Sequence, residues 1–190
     1  MTQHAFRFAL VLALATTCAA NAAAPTPVPG GANQMRALQG CKNQWLFNGI
    51  WRFRVTQVGT LTAADKPPGY NVTLEMRNGA KETLAPVFTG ADAAKINLQL
   101  SDGNSIAVSD STTGTLASQK LSFKDLIQGN GMTLDLPFYA EANSKPEDLK
   151  QPVKLVFPID AKMQRGHTGH AQYAVSDPSF RVDLTCDKSA

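Results

Sequence analysis

Beyond Trp45 the chain alternates between apolar and polar residues with the two-residue period of a β-strand. In Trp51-Arg52-Phe53-Arg54-Val55-Thr56 the odd positions are apolar and the even ones polar. Tyr70 to Arg77 alternates without a break, which turns Tyr70, Val72, Leu74 and Met76 to one side of a half-buried strand. Ile96, Leu98 and Leu100 repeat the pattern. Asp102-Gly103-Asn104 then supplies a turn, and Ile106 and Val108 continue on the far side, so a hairpin is predicted. Leu121 and Phe123 predict a shorter strand. After the turn Gln128-Gly129-Asn130-Gly131, the residues Met132, Leu134, Leu136 and Phe138 alternate strictly. Val153, Leu155, Phe157 and Ile159 mark the next strand, and Phe180, Val182, Leu184 and Cys186 the last.

These segments predict an all-β fold, an immunoglobulin-like antiparallel β-sandwich of about eight strands. Each strand has one apolar face, and two sheets packed face to face bury all of them. No run reads as an amphipathic helix. Single helical turns are expected at most, one in Gln34–Gln39 and one at Lys145-Pro146-Glu147-Asp148. The connections 139–151 and 160–176 are the long loops, where binding residues tend to lie.

The amino terminus changes the picture of where the protein works. Arg7 precedes an apolar run from Phe8 to Ala20, and Ala20-Asn21-Ala22 offers small residues for cleavage. The run is too short for a membrane span, which needs about 20 residues. It has the parts of a secretory signal, so residues 1–22 are expected to be removed after Ala22. Cys18 suggests a lipoprotein, but Thr17 stands where a small residue is wanted before a lipidated cysteine. Residues 23–40, rich in Pro, Gly and Ala, read as a linker, and residues 41–190 as the domain. Cys41 and Cys186 then remain, and two cysteines in an exported chain point to one disulfide. The loop it closes is worth about 4–5 kcal/mol in the chain-entropy model.

Several segments together resemble the telokin-like, immunoglobulin-fold domains of bacterial secreted proteins. They are GYNVTLEMRNGAKET (Gly69–Thr83), INLQLSDGNSI (Ile96–Ile106), LSFKDLIQGNGMTLDLPFYA (Leu121–Ala140) and PVKLVFPI (Pro152–Ile159). The resemblance implies a sandwich and export, and brings no catalytic residues. The Cys41 and Cys186 pair and the 160–176 loop depart from that pattern.

Charge and chemistry exclude more than they assign. The formal net charge is +3, with Lys and Arg scattered and Arg52-Phe53-Arg54 the densest basic spot. Nucleic-acid binding wants a basic stripe, and none is present. Nucleophilic catalysis needs a Ser or Cys beside a general base. Beyond the signal the histidines are His167 and His170, there is no G-x-S-x-G, and both cysteines are committed. A non-catalytic protein without a cofactor is therefore expected. Two readings of a binding role stay open. Trp45, Tyr139 and Tyr173 are candidate ligand-binding aromatics, able to stack on sugar rings or anchor a protein or cell-envelope component. Alternatively Met163, His167 and His170 supply thioether and imidazole ligands suited to copper or zinc, in a loop that Gly166 and Gly169 let bend.

Overall fold

In a computed structural model, which describes residues 38–62, 65–163 and 169–188, the alternating segments are strands with their apolar sides turned between two sheets. Nine strands occur among the described residues: β1 (Leu38–Lys42), β2 (Leu46–Phe47), β3 (Trp51–Leu61), β4 (Gly69–Asn78), β5 (Asn97–Leu100), β6 (Ser105–Ala107), β7 (Gly131–Tyr139), β8 (Pro152–Phe157) and β9 (Phe180–Asp187). One sheet runs β1-β9-β8-β5-β6 and the other β2-β3-β4-β7. The protein is an all-β sandwich, as the periodicity predicts.

Aromatic rings join the two layers. Phe53 of β3 stacks on Phe180 of β9 at 5.1 Å between centroids and meets Phe157 of β8 edge-on at 5.5 Å. Trp51, Phe53, Phe138, Phe157 and Phe180 are fully buried. A bulge at Thr56 shifts the β3–β4 register between Val55 and Gln57. The extra residue moves the inward parity from odd to even positions, so that Val58 faces Val72.

The expectation of a strand at Leu121 and Phe123 is overturned. Thr112–Phe123 forms an α-helix, α1, whose N-cap Ser111 accepts a bond from the Gly114 N–H. Its buried positions are Gly114, Ser118, Leu121 and Ser122, while Leu116 and Phe123 are exposed. Apart from the fully buried Leu121, the helix buries small side chains, and it leaves Leu116 and Phe123 in solvent, so its apolar pattern is not the usual amphipathic one. At Gly114 a Cβ would lie 2.1 Å from the Ser109 carbonyl oxygen, so a glycine lets the segment entering α1 fold back closely on its first turn.

Two further expectations are corrected. The first strand begins at Leu38, inside the stretch read as linker, because its backbone pairs with β9. That pairing is parallel, whereas every other strand pair is antiparallel. A two-residue period is the same in either direction and carries no sign of it. Cys41 and Cys186 are joined by a disulfide that ties β1 to β9 with Cα atoms 5.1 Å apart. The turn at Pro146–Asp148 forms as a single 3-10 turn.

Candidate binding face

The outer face of the four-stranded sheet gathers aromatic and basic side chains at one end. In β3 the even residues up to Arg54 point outward, and in β4 the odd ones do. The register sets Phe47 opposite Arg52, Arg52 opposite Arg77, and Arg54 opposite Glu75. The Arg52 guanidinium lies over the Phe47 ring, 5.1 Å from its centroid. The Arg54 and Arg77 guanidinium groups both lie over Trp45, at 4.5 and 5.0 Å. Cation–π contacts of this kind fix long side chains that would otherwise sweep through solvent.

One carboxylate serves the group. Glu75 accepts from Arg54 at 2.8 Å and lies 3.5 Å from Arg77. Arg52 has no ion pair among the described residues, and the buried Nε of Arg54 has no hydrogen-bond partner there. Two guanidinium groups, Arg54 and Arg77, thus share one carboxylate, and the unpaired Arg52 faces Arg77 directly across strands. Like charges so placed repel. Trp45 is half-buried, Phe47 and Arg52 are exposed, and the Arg77 side chain keeps 51% of its surface in contact with solvent.

The far end of the same face carries a second, smaller pair. Lys66 lies over the ring of Tyr139, 5.5 Å from its centroid. Tyr139 stands opposite Gly69 at the start of β4, and Arg77 lies near that strand's end. At about 3.4 Å per residue the two cation–aromatic pairs are about 27 Å apart along β4. Between them the surface is polar, with the Thr73 hydroxyl donating to Asp135 at 2.6 Å.

Of the sequence-derived candidates, Trp45 and Tyr139 are on this face and Tyr173 is not. The Tyr173 ring packs against the core, and its hydroxyl donates to the Thr89 carbonyl oxygen at 2.7 Å. Trp51 Nε1 donates to the Thr89 hydroxyl, which donates to the Pro86 carbonyl. Burial pushes the Tyr173 phenol up to about 12, partly offset by hydrogen bonding to Thr89. Tyr173 is thus braced against the core through its ring and hydroxyl, away from the other two aromatic candidates. The arginines were missed as partners of the aromatics because Arg52, Arg54 and Arg77 converge only through strand register.

The remaining candidates lie elsewhere. Met163 is exposed at the end of a 3-10 turn, Ala161–Met163. His170 is also exposed, and its backbone N–H donates to Glu82 at 3.1 Å. His167 lies outside the described residues. Among the described residues, no three His, Cys, Asp or Glu groups converge as metal ligands. An open cleft of about 560 Å³ runs between the Asp102–Asn104 turn and the 140–150 loop. Its Asp102 is already engaged by the backbone and side-chain nitrogens of Asn104.

No family model and no curated protein matches the chain. Likeness appears only in three dimensions. The yjhA protein from Bacillus subtilis superposes with a TM-score of 0.51 at 15% identity, over 76% of this chain and 98% of its own. A secreted protein from Mycobacterium tuberculosis gives 0.47 at 12% identity, over 78% and 98%. An uncharacterized beta-sandwich protein from Clostridium difficile gives 0.37 at 9% identity, over 81% and 98%. The first likeness is one of fold, and it agrees with the sandwich described above.

Proposed function

We propose that the mature chain is an exported, non-catalytic binding module of the immunoglobulin-like, telokin-like kind. It engages an anionic partner in the cell envelope or outside the cell through the outer face of the four-stranded sheet. The observation that carries the reading is the cross-strand pair Arg52 and Arg77, held over Phe47 and Trp45 with Glu75 as the one neighbouring counterion. Export is supported by the secretory pattern of residues 1–22 and by the Cys41–Cys186 bridge, which suits an oxidising compartment.

The test is retention of the mature, oxidised protein on an immobilised cell-envelope fraction. The wild type should be held and released by salt, and an Arg52→Gln/Arg77→Gln variant of equal stability should pass through. Equal retention of both proteins would remove the outer face from the function. One-to-one copper uptake, lost in a His167→Ala/His170→Ala variant, would favour the loop of Met163, His167 and His170 instead.

A further inference from the structure

Resting on that reading, we infer that the ligand is a linear, carboxylate-bearing polysaccharide lying along β4 from the Arg52–Arg77 end to the Lys66–Tyr139 end. Four features of the face lead there. The first is charge. Arg52 and Arg77 form a like-charged pair on neighbouring strands, and Glu75 is drawn mainly to Arg54, at 2.8 Å against 3.5 Å to Arg77. An oxyanion bridging Arg52 and Arg77 relieves the repulsion, and the planar guanidinium fork matches a carboxylate in shape.

The second feature is preorganisation. Each of the three arginines is stacked on an aromatic ring, so little side-chain freedom remains to be lost on binding. The third is length. Lys66 over Tyr139 repeats the cation–aromatic pairing on the same face, about 27 Å away along β4. A small anion reaches one of these sites, and only an extended polymer reaches both. The surface between them offers Asn71, Thr73 and Thr133, groups that suit sugar hydroxyls, while the Asp135 carboxylate, which a glycan carboxylate would have to avoid, is held by the Thr73 hydroxyl.

The fourth feature separates a glycan from an acidic peptide. An extended peptide gains its affinity by pairing its backbone with a free sheet edge. This face presents side chains alone. At the edges of its sheet, β2 is two residues long, and on the β7 side the Ser109 N–H already takes the Pro137 carbonyl. A polymer of sugar rings makes no such backbone demand.

The experiment titrates the mature, oxidised protein with polygalacturonate and hyaluronan fragments of increasing length. Carboxyl-reduced polygalacturonate, poly-glutamate and phosphatidylglycerol vesicles serve as comparison ligands. Expected is binding to at least one acidic glycan that weakens with salt and disappears when the carboxylates are reduced. Arg52→Gln/Arg77→Gln should weaken it by about tenfold or more, with a urea midpoint no lower than that of the wild type. Lys66→Gln should weaken binding of long fragments and leave the shortest ones unaffected. Absence of binding to both glycans, equal binding after carboxyl reduction, or preference for poly-glutamate or vesicles would overturn the inference. The envelope assay separates the failures. Retention that still depends on Arg52 and Arg77 means that only the ligand class is wrong, and retention that ignores them means that the binding face is wrong.

Discussion

Removing the disulfide should cost this sandwich more than any other single change at its edge. The bond closes a chain separation of 145 residues. In the chain-entropy model that loop is worth about 5 kcal/mol, and measured bridges commonly deliver about 2–4 kcal/mol. Besides the bridge, β1 is held mainly by its backbone pairing with β9. Its five residues are at most half-buried, and its pairing with β9 slips between Cys41 and Lys42. The Lys42–Asp187 ion pair at 3.0 Å and the Asn43–Asp187 bond at 2.8 Å are at the surface, and an exposed ion pair is worth about 1 kcal/mol at most. A Cys41→Ala/Cys186→Ala variant should therefore lose about 3–5 kcal/mol, a large share of the 5–15 kcal/mol typical of a domain. With a urea slope of about 2 kcal/mol/M, its unfolding midpoint should fall by roughly 2 M. Amide exchange should place the first loss of protection in β1, ahead of the β3–β4 pair. Reducing the wild type should reproduce both effects. If the variant unfolds at the wild-type midpoint, or if Asp187→Ala costs as much as losing the bridge, the dominance of chain closure over surface contacts is refuted.

Three further changes test other parts of the fold. Asn78 is buried, its amide nitrogen donates to the Glu82 and Leu126 carbonyls at 2.7 Å each, and its oxygen accepts from the Ala80 N–H at 2.8 Å. Asn78→Ala leaves the Ala80 donor bare while Leu126 keeps its bond from Leu84, so chemical denaturation should show a loss of about 2–4 kcal/mol. Gly114→Ala gains about 1 kcal/mol in helix propensity but sets a Cβ 2.1 Å from Ser109 O. The clash should win, and a melting temperature equal to or above wild type would contradict the close packing of α1. Tyr173 has its phenol raised from 10.0 to about 12 in the folded state, so folding favours the neutral form. The stability it contributes is whole below pH 10 and is lost as pH rises toward 12, about 2–3 kcal/mol in all. Melts across that range should show Tyr173→Phe losing less with pH than wild type, and parallel curves would count against the assignment.

What the sequence disclosed follows from which forces have a short-range signature. Strands facing one core must alternate, so β3, β4, β7 and β9 are legible in the positions of Phe53, Leu74, Leu136 and Val182, all of them fully buried. The hairpin at Asp102-Gly103-Asn104 is legible because turn chemistry is local: Gly103 has φ of +90°, and Asp102 caps the Asn104 N–H. Helix α1 was not legible, because Leu121 is the one large apolar residue on its buried face and the others, Gly114, Ser118 and Ser122, are residues that a hydrophobicity pattern reads as surface. The one local signal was the cap, Ser111 accepting from Gly114, together with small residues spaced by four. The binding face was half legible. Trp45 and the Arg52-Phe53-Arg54 run stand out in the chain, but Arg77 and Glu75 join them only when β3 and β4 pair.

The placement of that face also follows from how the sandwich protects its edges. Open strand edges invite pairing with other chains, and short or covered edge strands prevent it. In the five-stranded sheet, β6 has three residues, and at the β1 edge the Cys41 N–H bonds to the Gln44 side chain. In the four-stranded sheet, β2 has two residues, and the segment leading into α1 bonds to β7 through Ser109. With edges shortened or partly bonded in these ways, the proposed recognition is assigned to side chains on a face. The five-stranded sheet has half-buried Lys154 and Arg181 on its outward side, but no ring stacked on either among the described residues. The four-stranded sheet holds its cations on Phe47, Trp45 and Tyr139 and keeps more positive than negative charge among Arg52, Arg54, Arg77 and Glu75. A surface that spends aromatic rings on fixing unneutralised arginines loses stability by repulsion within the free protein. An anionic ligand would turn that repulsion into affinity, which is the physical ground for proposing this face rather than an edge as the binding surface.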